Sequence, residues 1–136
     1  MAEKTFAIIK PDATAAGHSG QIINIIELNK FSIIRMQKMQ LTKEQAEKFY
    51  AVHKERSFFR ELVDYMISGP VIVMALEKEN AIQEWRDLMG ATDPKKAGAG
   101  TIRRMFGTSI GNNATHGSDA PETAKVELKF FFPELN

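Results

Sequence analysis

Residues 71–76 read VIVMAL, six apolar side chains in succession, entered through Gly69-Pro70 and followed by the polar stretch that begins at Glu77. A run this short, bounded by turn formers, predicts a strand buried in a sheet. On either side the pattern changes period. SFFRELVDYMISG (57–69) reads as an amphipathic helix that ends at Gly69-Pro70, and KENAIQEWRDLMG (78–90) reads as another with Gly90 as its stop.

Further out, TFAIIK (5–10) is a second apolar run, closed by Pro11, and predicts a buried strand. A loop carrying Gly17 and Gly20 separates it from QIINIIELNK (21–30), which places Ile22, Ile25 and Ile26 on one helical face. Helices of this kind commonly end at a glycine, but here Asn29 or Lys30 holds that place and the end is weakly marked. FSIIRMQKMQL (31–41) mixes β-branched residues with partial alternation and predicts a strand. Thr42 and Gln45 have capping-box spacing, which opens a helix to about Tyr50.

From Gly90 to Asn113 the chain is irregular and too long for a turn, so it reads as a functional loop with one short helix around 101–106. A brief strand near 114–117 follows. Asp119 and Glu122 again have capping spacing, Pro121 fits a first helical turn, and the last helix runs to about Lys129. The order β-α-β-α-α-β-α-β-α, without repeat or linker, predicts a single α+β domain spanning 1–136. Its expected form is a ferredoxin-like four-stranded antiparallel sheet with helices on one face.

Bulk properties exclude several functions. The 136 residues are 43% apolar and 26% charged, an ordinary globular composition. Cysteine is absent, which removes disulfides, thiolate nucleophiles and cysteine-based zinc sites together. It is also compatible with a reducing cytoplasm. The N-terminal MAEKTFAIIKPD has early charges and no long apolar run, so neither a signal peptide nor a membrane span is expected. A net charge of +1, with no long basic run, speaks against strong nucleic-acid binding. Any anion site has to be assembled by folding.

The familiar catalytic signatures are missing. No G-x-x-x-x-G-K-S/T, no G-x-G-x-x-G after a strand, no H-E-x-x-H and no G-x-S-x-G occurs. What remains is a scatter of polar residues, each with an ordinary explanation. Lys10 at a strand end can be solvated there, and Arg86 late in its helix complements the negative end of the dipole. Arg103, beside Arg104, can be a surface cation, and Thr92 in ATDP a turn residue.

His116, one of three histidines, stands in NNATHGSD (112–119), where small neighbours leave its ring uncovered. It could be a nucleophile, a metal ligand or surface filler. Glu127 lies on the helix that begins just after it, so Ser118 and Glu127 are placed to fold back toward the ring. A carboxylate on one imidazole nitrogen fixes the tautomer and raises the basicity of the other, which makes a nucleophile competent toward phosphorus.

NATHGSD, together with TFAIIKPD at the start and GTIR and ATDP between, closely resembles the nucleoside diphosphate kinase family from Thr5 to about Phe132. The resemblance implies a ping-pong reaction. The γ-phosphate of a nucleoside triphosphate, typically ATP, passes to His116 and then to a nucleoside diphosphate. It implies that Lys10, Tyr50, Arg86, Thr92, Arg103 and Asn113 hold phosphates and ribose. Phe58 would stack on the base, with Leu62 and Ile110 as apolar companions, and Ser118 and Glu127 would orient His116. It further implies Mg2+ held mainly through the nucleotide phosphates, a homo-oligomer (tetramer or hexamer) and a cytoplasmic enzyme.

Departures from the family pattern touch none of these residues. Lys30 replaces a glycine before the second strand, which implies a strained helix end. Ser57 stands where proline is common, and the short tail after the last helix leaves the oligomer type open. A regulatory module on the same scaffold, which would not need His116, is the rival reading. Nucleic-acid binding is a further rival, suggested only by the basic loop and the stacking aromatic.

Overall fold

The computed structural model describes residues 2–135. Strands β1 (Ala2–Ile9) and β3 (Val71–Glu79) lie antiparallel at the centre of one sheet, from Ala2 opposite Glu79 to Ile9 opposite Ile72. Strand β2 (Ser32–Met39) pairs antiparallel with β3 at one edge, and β4 (Thr115–Gly117) pairs antiparallel with β1 at the other, giving the order β2-β3-β1-β4. The four-stranded antiparallel ferredoxin-like sheet is as expected.

The helices are α1 (Pro11–Ala15), α2 (Ser19–Leu28), α3 (Lys43–Phe49), α4 (Phe59–Met66), α5 (Ala81–Met89), α6 (Ile102–Phe106) and α7 (Pro121–Phe131). They do not all pack on one face. Ala7, Ile9, Ile72, Met74 and Leu76 meet Ile22 and Ile26 of α2 and Trp85 of α5. On the other face Phe6, Ile8, Val71, Val73 and Ala75 meet Val63 and Met66 of α4 and Leu128 of α7. The one-faced arrangement is therefore corrected to a sheet covered on both sides. The reason lies in VIVMAL itself. Successive strand residues point to opposite faces, so an unbroken apolar run requires cover on both.

Local signals explain the element ends. The Thr42 hydroxyl accepts from Gln45 N–H at 3.1 Å while Gln45 Oε1 accepts from Thr42 N–H at 2.9 Å, the expected reciprocal cap of α3. The cap expected at Asp119 moves by one residue. Ala120 precedes α7, Thr123 Oγ1 accepts from the N–H groups of Asp119 (3.2 Å) and Ala120 (3.0 Å), and Pro121 opens the helix. Asp119 is left free to pair elsewhere. Pro11 closes β1 and also begins α1, which replaces the start of the expected loop, because its fixed φ suits a first helical turn.

The end of α2 carries strain. Phe31 N–H donates to Ile26 C=O at 3.3 Å and Lys30 N–H to Glu27 C=O at 3.0 Å, a Schellman closure that places Lys30 at φ +69°. A side chain in this left-handed region costs about 1–2 kcal/mol relative to glycine. Lys30→Gly is expected to raise stability by about 1 kcal/mol. A urea midpoint equal to or below that of the wild type would contradict this account.

Candidate active site

The short strand β4 hangs on the end of β1, with His116 opposite Ile8. Lys10 N–H donates to Ala114 C=O at 2.8 Å, and Ser118 N–H to Phe6 C=O at 3.2 Å, so the backbone is pinned on both sides of the histidine. Just before it the chain is forced into a γ-turn. Ala114 has φ +73°, and Thr115 N–H donates to Asn113 C=O at 2.9 Å. Strain of this kind persists only where neighbours hold it, and here Asp12 Oδ2 accepts from Ala114 N–H at 3.1 Å. On the far side, a Cβ on Gly117 would lie 2.5 Å from Trp85 Cδ1. Only glycine lets β4 approach α5 this closely.

The His116 ring is held edge-on among Phe6, Phe49 and Tyr50, with centroids 6.1, 5.5 and 6.5 Å away. Its side chain keeps 19% of its surface exposed. Glu127 Oε1 lies 3.0 Å from Nε2, and the same oxygen accepts from the Ser118 hydroxyl at 2.8 Å. Ser118 Oγ lies 3.4 Å from Phe6 N–H, which donates to it, so its proton is directed at Glu127. With the carboxylate as acceptor, Nε2 carries the proton and the lone pair resides on Nδ1. Ser118 is fully buried, which fixes the arrangement.

Cations surround this group. Lys10 Nζ donates to Asn113 Oδ1 at 2.8 Å, and Asn113 Nδ2 donates to Thr92 C=O at 3.2 Å. Arg103 donates to Gly90 C=O (3.1 Å) and to Thr115 C=O (2.9 Å), the residue preceding His116. Arg86 pairs with Asp119 at 2.5 Å. Burial, reinforced by the Arg103 charge and partly offset by Asp12, pushes the Lys10 ammonium down to about 8. Burial and then the Arg86 charge lower Arg103 to about 10. Such mutual repulsion among desolvated cations is relieved by an anion. Arg103 Nε and the Tyr50 hydroxyl are both buried without a hydrogen-bond partner among the described residues. Burial, followed by the charge of Glu127, holds the Tyr50 phenol protonated.

A cavity of about 630 Å³ opens beside these groups, lined by Lys10, Phe58, Leu62, Tyr65, Ile110 and Asn112 among others. Phe58 and Ile110, from separate segments, are 44% and 60% exposed, unusual for large apolar side chains. The residues singled out in the sequence fall into separate groups, and the His116 ring is not among those that line this cavity. Phe58, Leu62, Ile110 and Lys10 line the cavity, Asn113 links Lys10 to Thr92 C=O, and Arg103 is bonded instead to Gly90 and Thr115 C=O. Tyr50, Ser118 and Glu127 surround the ring. Arg86 stands apart, held by Asp119 at the exposed rim. A second cavity, of about 570 Å³ and lined in part by Lys4, Ile82, Ala124 and Lys125, contains none of them.

Sequence reasoning missed four participants. Asp12 anchors the γ-turn and accepts from the Tyr65 hydroxyl, a bond that drives the Tyr65 phenol upward after burial itself. Trp85 Nε1 donates to His116 C=O at 3.2 Å, and Asp119 restrains Arg86. Asp12, next to Pro11 in IIKPD, and Asp119, three residues past the histidine, were visible as carboxylates near motif residues. For Tyr65 and Trp85 no sequence signal distinguished site from core.

An imidazole with one nitrogen fixed and one free, set beside cations that repel one another, belongs to proteins that handle phosphate. Such a constellation is suited to phosphoryl transfer. Residues 3–136 match the family model described as nucleoside diphosphate kinase. The nucleoside diphosphate kinase of Bordetella pertussis is 60% identical over 134 residues, covering 98% of this chain and 95% of that one. That of Desulfotalea psychrophila is 58% identical over 133 residues, covering 98% and 97%. Among solved structures, the Aquifex aeolicus enzyme superposes with a TM-score of 0.94 at 43% identity, covering 97% and 96%. The Halobacterium salinarum enzyme in complex with CDP does so with 0.93 at 36% identity, covering 97% and 88%. The chain belongs to the nucleoside diphosphate kinase family.

Proposed function

We propose that this kinase works through His116 as a transient phosphate carrier. In the first half-reaction Nδ1 attacks the γ-phosphorus of a nucleoside triphosphate, an N–P bond forms, and the bond to the β-phosphate oxygen breaks as the diphosphate leaves. In the second, a terminal phosphate oxygen of another nucleoside diphosphate attacks the same phosphorus and Nδ1 is released. The observation that carries this reading is the Glu127–Nε2 contact at 3.0 Å, which leaves the opposite ring nitrogen with its lone pair.

The surrounding residues match the demands of the step. A metaphosphate-like transition state spreads charge over oxygens, so catalysis consists mainly of positioning and electrostatic stabilisation. Lys10, Arg86 and Arg103 supply the positive charge, and Tyr50, Thr92 and Asn113 supply neutral polar groups for phosphates and ribose. Phe58, with Leu62 and Ile110, offers the base an apolar slot whose π-face suits any base. Ser118 and Glu127 orient the ring.

Among the described residues no three histidine, aspartate or glutamate side chains come together as a metal cage. The Mg2+ that the family resemblance implies would be held mainly through the nucleotide phosphates, and would there offset their negative charge. The free edge of β2, with exposed Met36, and exposed Leu28 on α2 support a homo-oligomer, tetramer or hexamer, which a solution mass measurement would test. No helix among the described residues is long and apolar enough to cross a membrane. A cytoplasmic setting is what the family resemblance implies.

The direct test is incubation with γ-labelled ATP and Mg2+. An acid-labile, base-stable phosphoprotein is expected, and its label should chase onto added GDP or CDP. A phosphoprotein that keeps its label in the presence of every diphosphate would favour a phosphocarrier or regulator instead. Glu127→Gln supplies a finer test. The amide can still meet Nε2, but it no longer stabilises the positive ring, so phosphorylation should slow by about 10- to 100-fold. Nucleotide affinity should stay within about threefold, since no cation of the pocket is touched. Loss of affinity without a slower chemical step would remove Glu127 from its assigned role.

A further inference from the structure

We infer that Glu61 reads the edge of the nucleobase and biases this kinase toward bases that carry an exocyclic amino group where others carry a carbonyl. The inference rests on the functional reading above and deepens it. Glu61 lines the 630 Å³ cavity beside Phe58 and Leu62. A carboxylate is out of place in a pocket for a polyanion unless it lies away from the phosphates, and its position satisfies that condition. Phe58 and Glu61 are three residues apart at the start of α4, so they are neighbours on one helical surface. Lys10, the cation that lines the same cavity, is bonded to Asn113 at the histidine end.

The Glu61 carboxylate is also unoccupied. Its neighbour Arg60 is paired with Glu47 at 3.3 Å, and Glu61 joins no ion pair among the described residues. A base slotted between Phe58 and Ile110 would therefore present its edge near an acceptor with free lone pairs. Carboxylates accept well from the amino group of cytosine or adenine, whereas the carbonyl at the same ring position of uracil or hypoxanthine is repelled. The stacking platform still admits every base. Glu61 adds a tilt of a few-fold, limited by its exposure to solvent.

Two near-isosteric pairs test the effect, CDP against UDP and ADP against IDP; each exchanges amino for carbonyl and, at the adjacent ring nitrogen, a bare acceptor for an N–H. With the phosphorylated protein as donor, kcat/KM should favour CDP over UDP and ADP over IDP by about 3- to 10-fold. Glu61→Gln, whose amide can donate or accept, should bring both ratios close to one, and Glu61→Lys should invert them. A merely structural contribution would lower all four values together and leave the ratios alone. Wild-type ratios near one, or ratios that survive both substitutions, overturn the inference while leaving the kinase reading intact. If the wild type passes no phosphate to any of the four, that reading and this inference fall together.

Discussion

His116→Ala is expected to abolish phosphoryl transfer, lowering kcat by on the order of 10⁴-fold or more, because the proposed carrier ring is lost. The variant should still bind nucleotide. Lys10, Arg103 and Asn113 keep their partners, and the Ser118–Glu127 contact at 2.8 Å does not depend on the ring. The backbone is held by bonds from Lys10 N–H and Trp85 Nε1, so the fold should persist. Labelling by γ-labelled ATP and equilibrium binding of a diphosphate separate the two effects. Residual labelling of the variant at wild-type rates would place the carrier elsewhere.

Lys10→Met is expected to have the second largest effect, a loss of about 10²- to 10³-fold in kcat/KM, in line with removal of one preorganised charge from a transition state. The pH dependence gives an independent signature. The ammonium is lowered to about 8 in the free protein from its ordinary 10.5, so it is charged below about 8 and neutral above. Phosphate favours the charged form, and kcat/KM should therefore decline as pH rises through about 8. At saturating nucleotide the decline should move to higher pH. Lys10→Met should lose this alkaline limb, and a limb that remained would assign it to another group.

Stability runs the other way. The unfolded chain binds the Lys10 proton more tightly than the folded one, so holding the charged ammonium in the fold costs stability below about 8. That cost shrinks as pH rises from about 8 toward 10.5. Between these values the free protein should become more stable through this group while its nucleotide affinity falls. The opposed trends mark a cation retained for its ligand.

Much of this site was legible before folding because its residues are local in sequence. NNATHGSD places His116 and Ser118 two apart, with Glu127 on the next helix, and the packing of α7 back on the sheet brings the three together. The cations were visible but ambiguous. Lys10 and Asn113 are separated by 103 positions, and only the pairing of β4 with the end of β1 joins them. Asp119 shows how a local rule can mislead. Its capping spacing is genuine, but Thr123 takes up the N–H groups and Arg86 competes successfully for the carboxylate. The helices on both sides of the sheet are a similar case. Six successive apolar residues in VIVMAL already demanded two covered faces, while the order of elements suggested one.

By itself the sequence determined the strands, most helix ends and the candidate histidine, since these depend on side-chain period, caps and near neighbours along the chain. The tertiary structure decided the free nitrogen of the imidazole, the crowding that lowers Lys10, and the cavity between Phe58 and Ile110. Each of those depends on distance and burial between segments far apart in the chain, which no local pattern encodes.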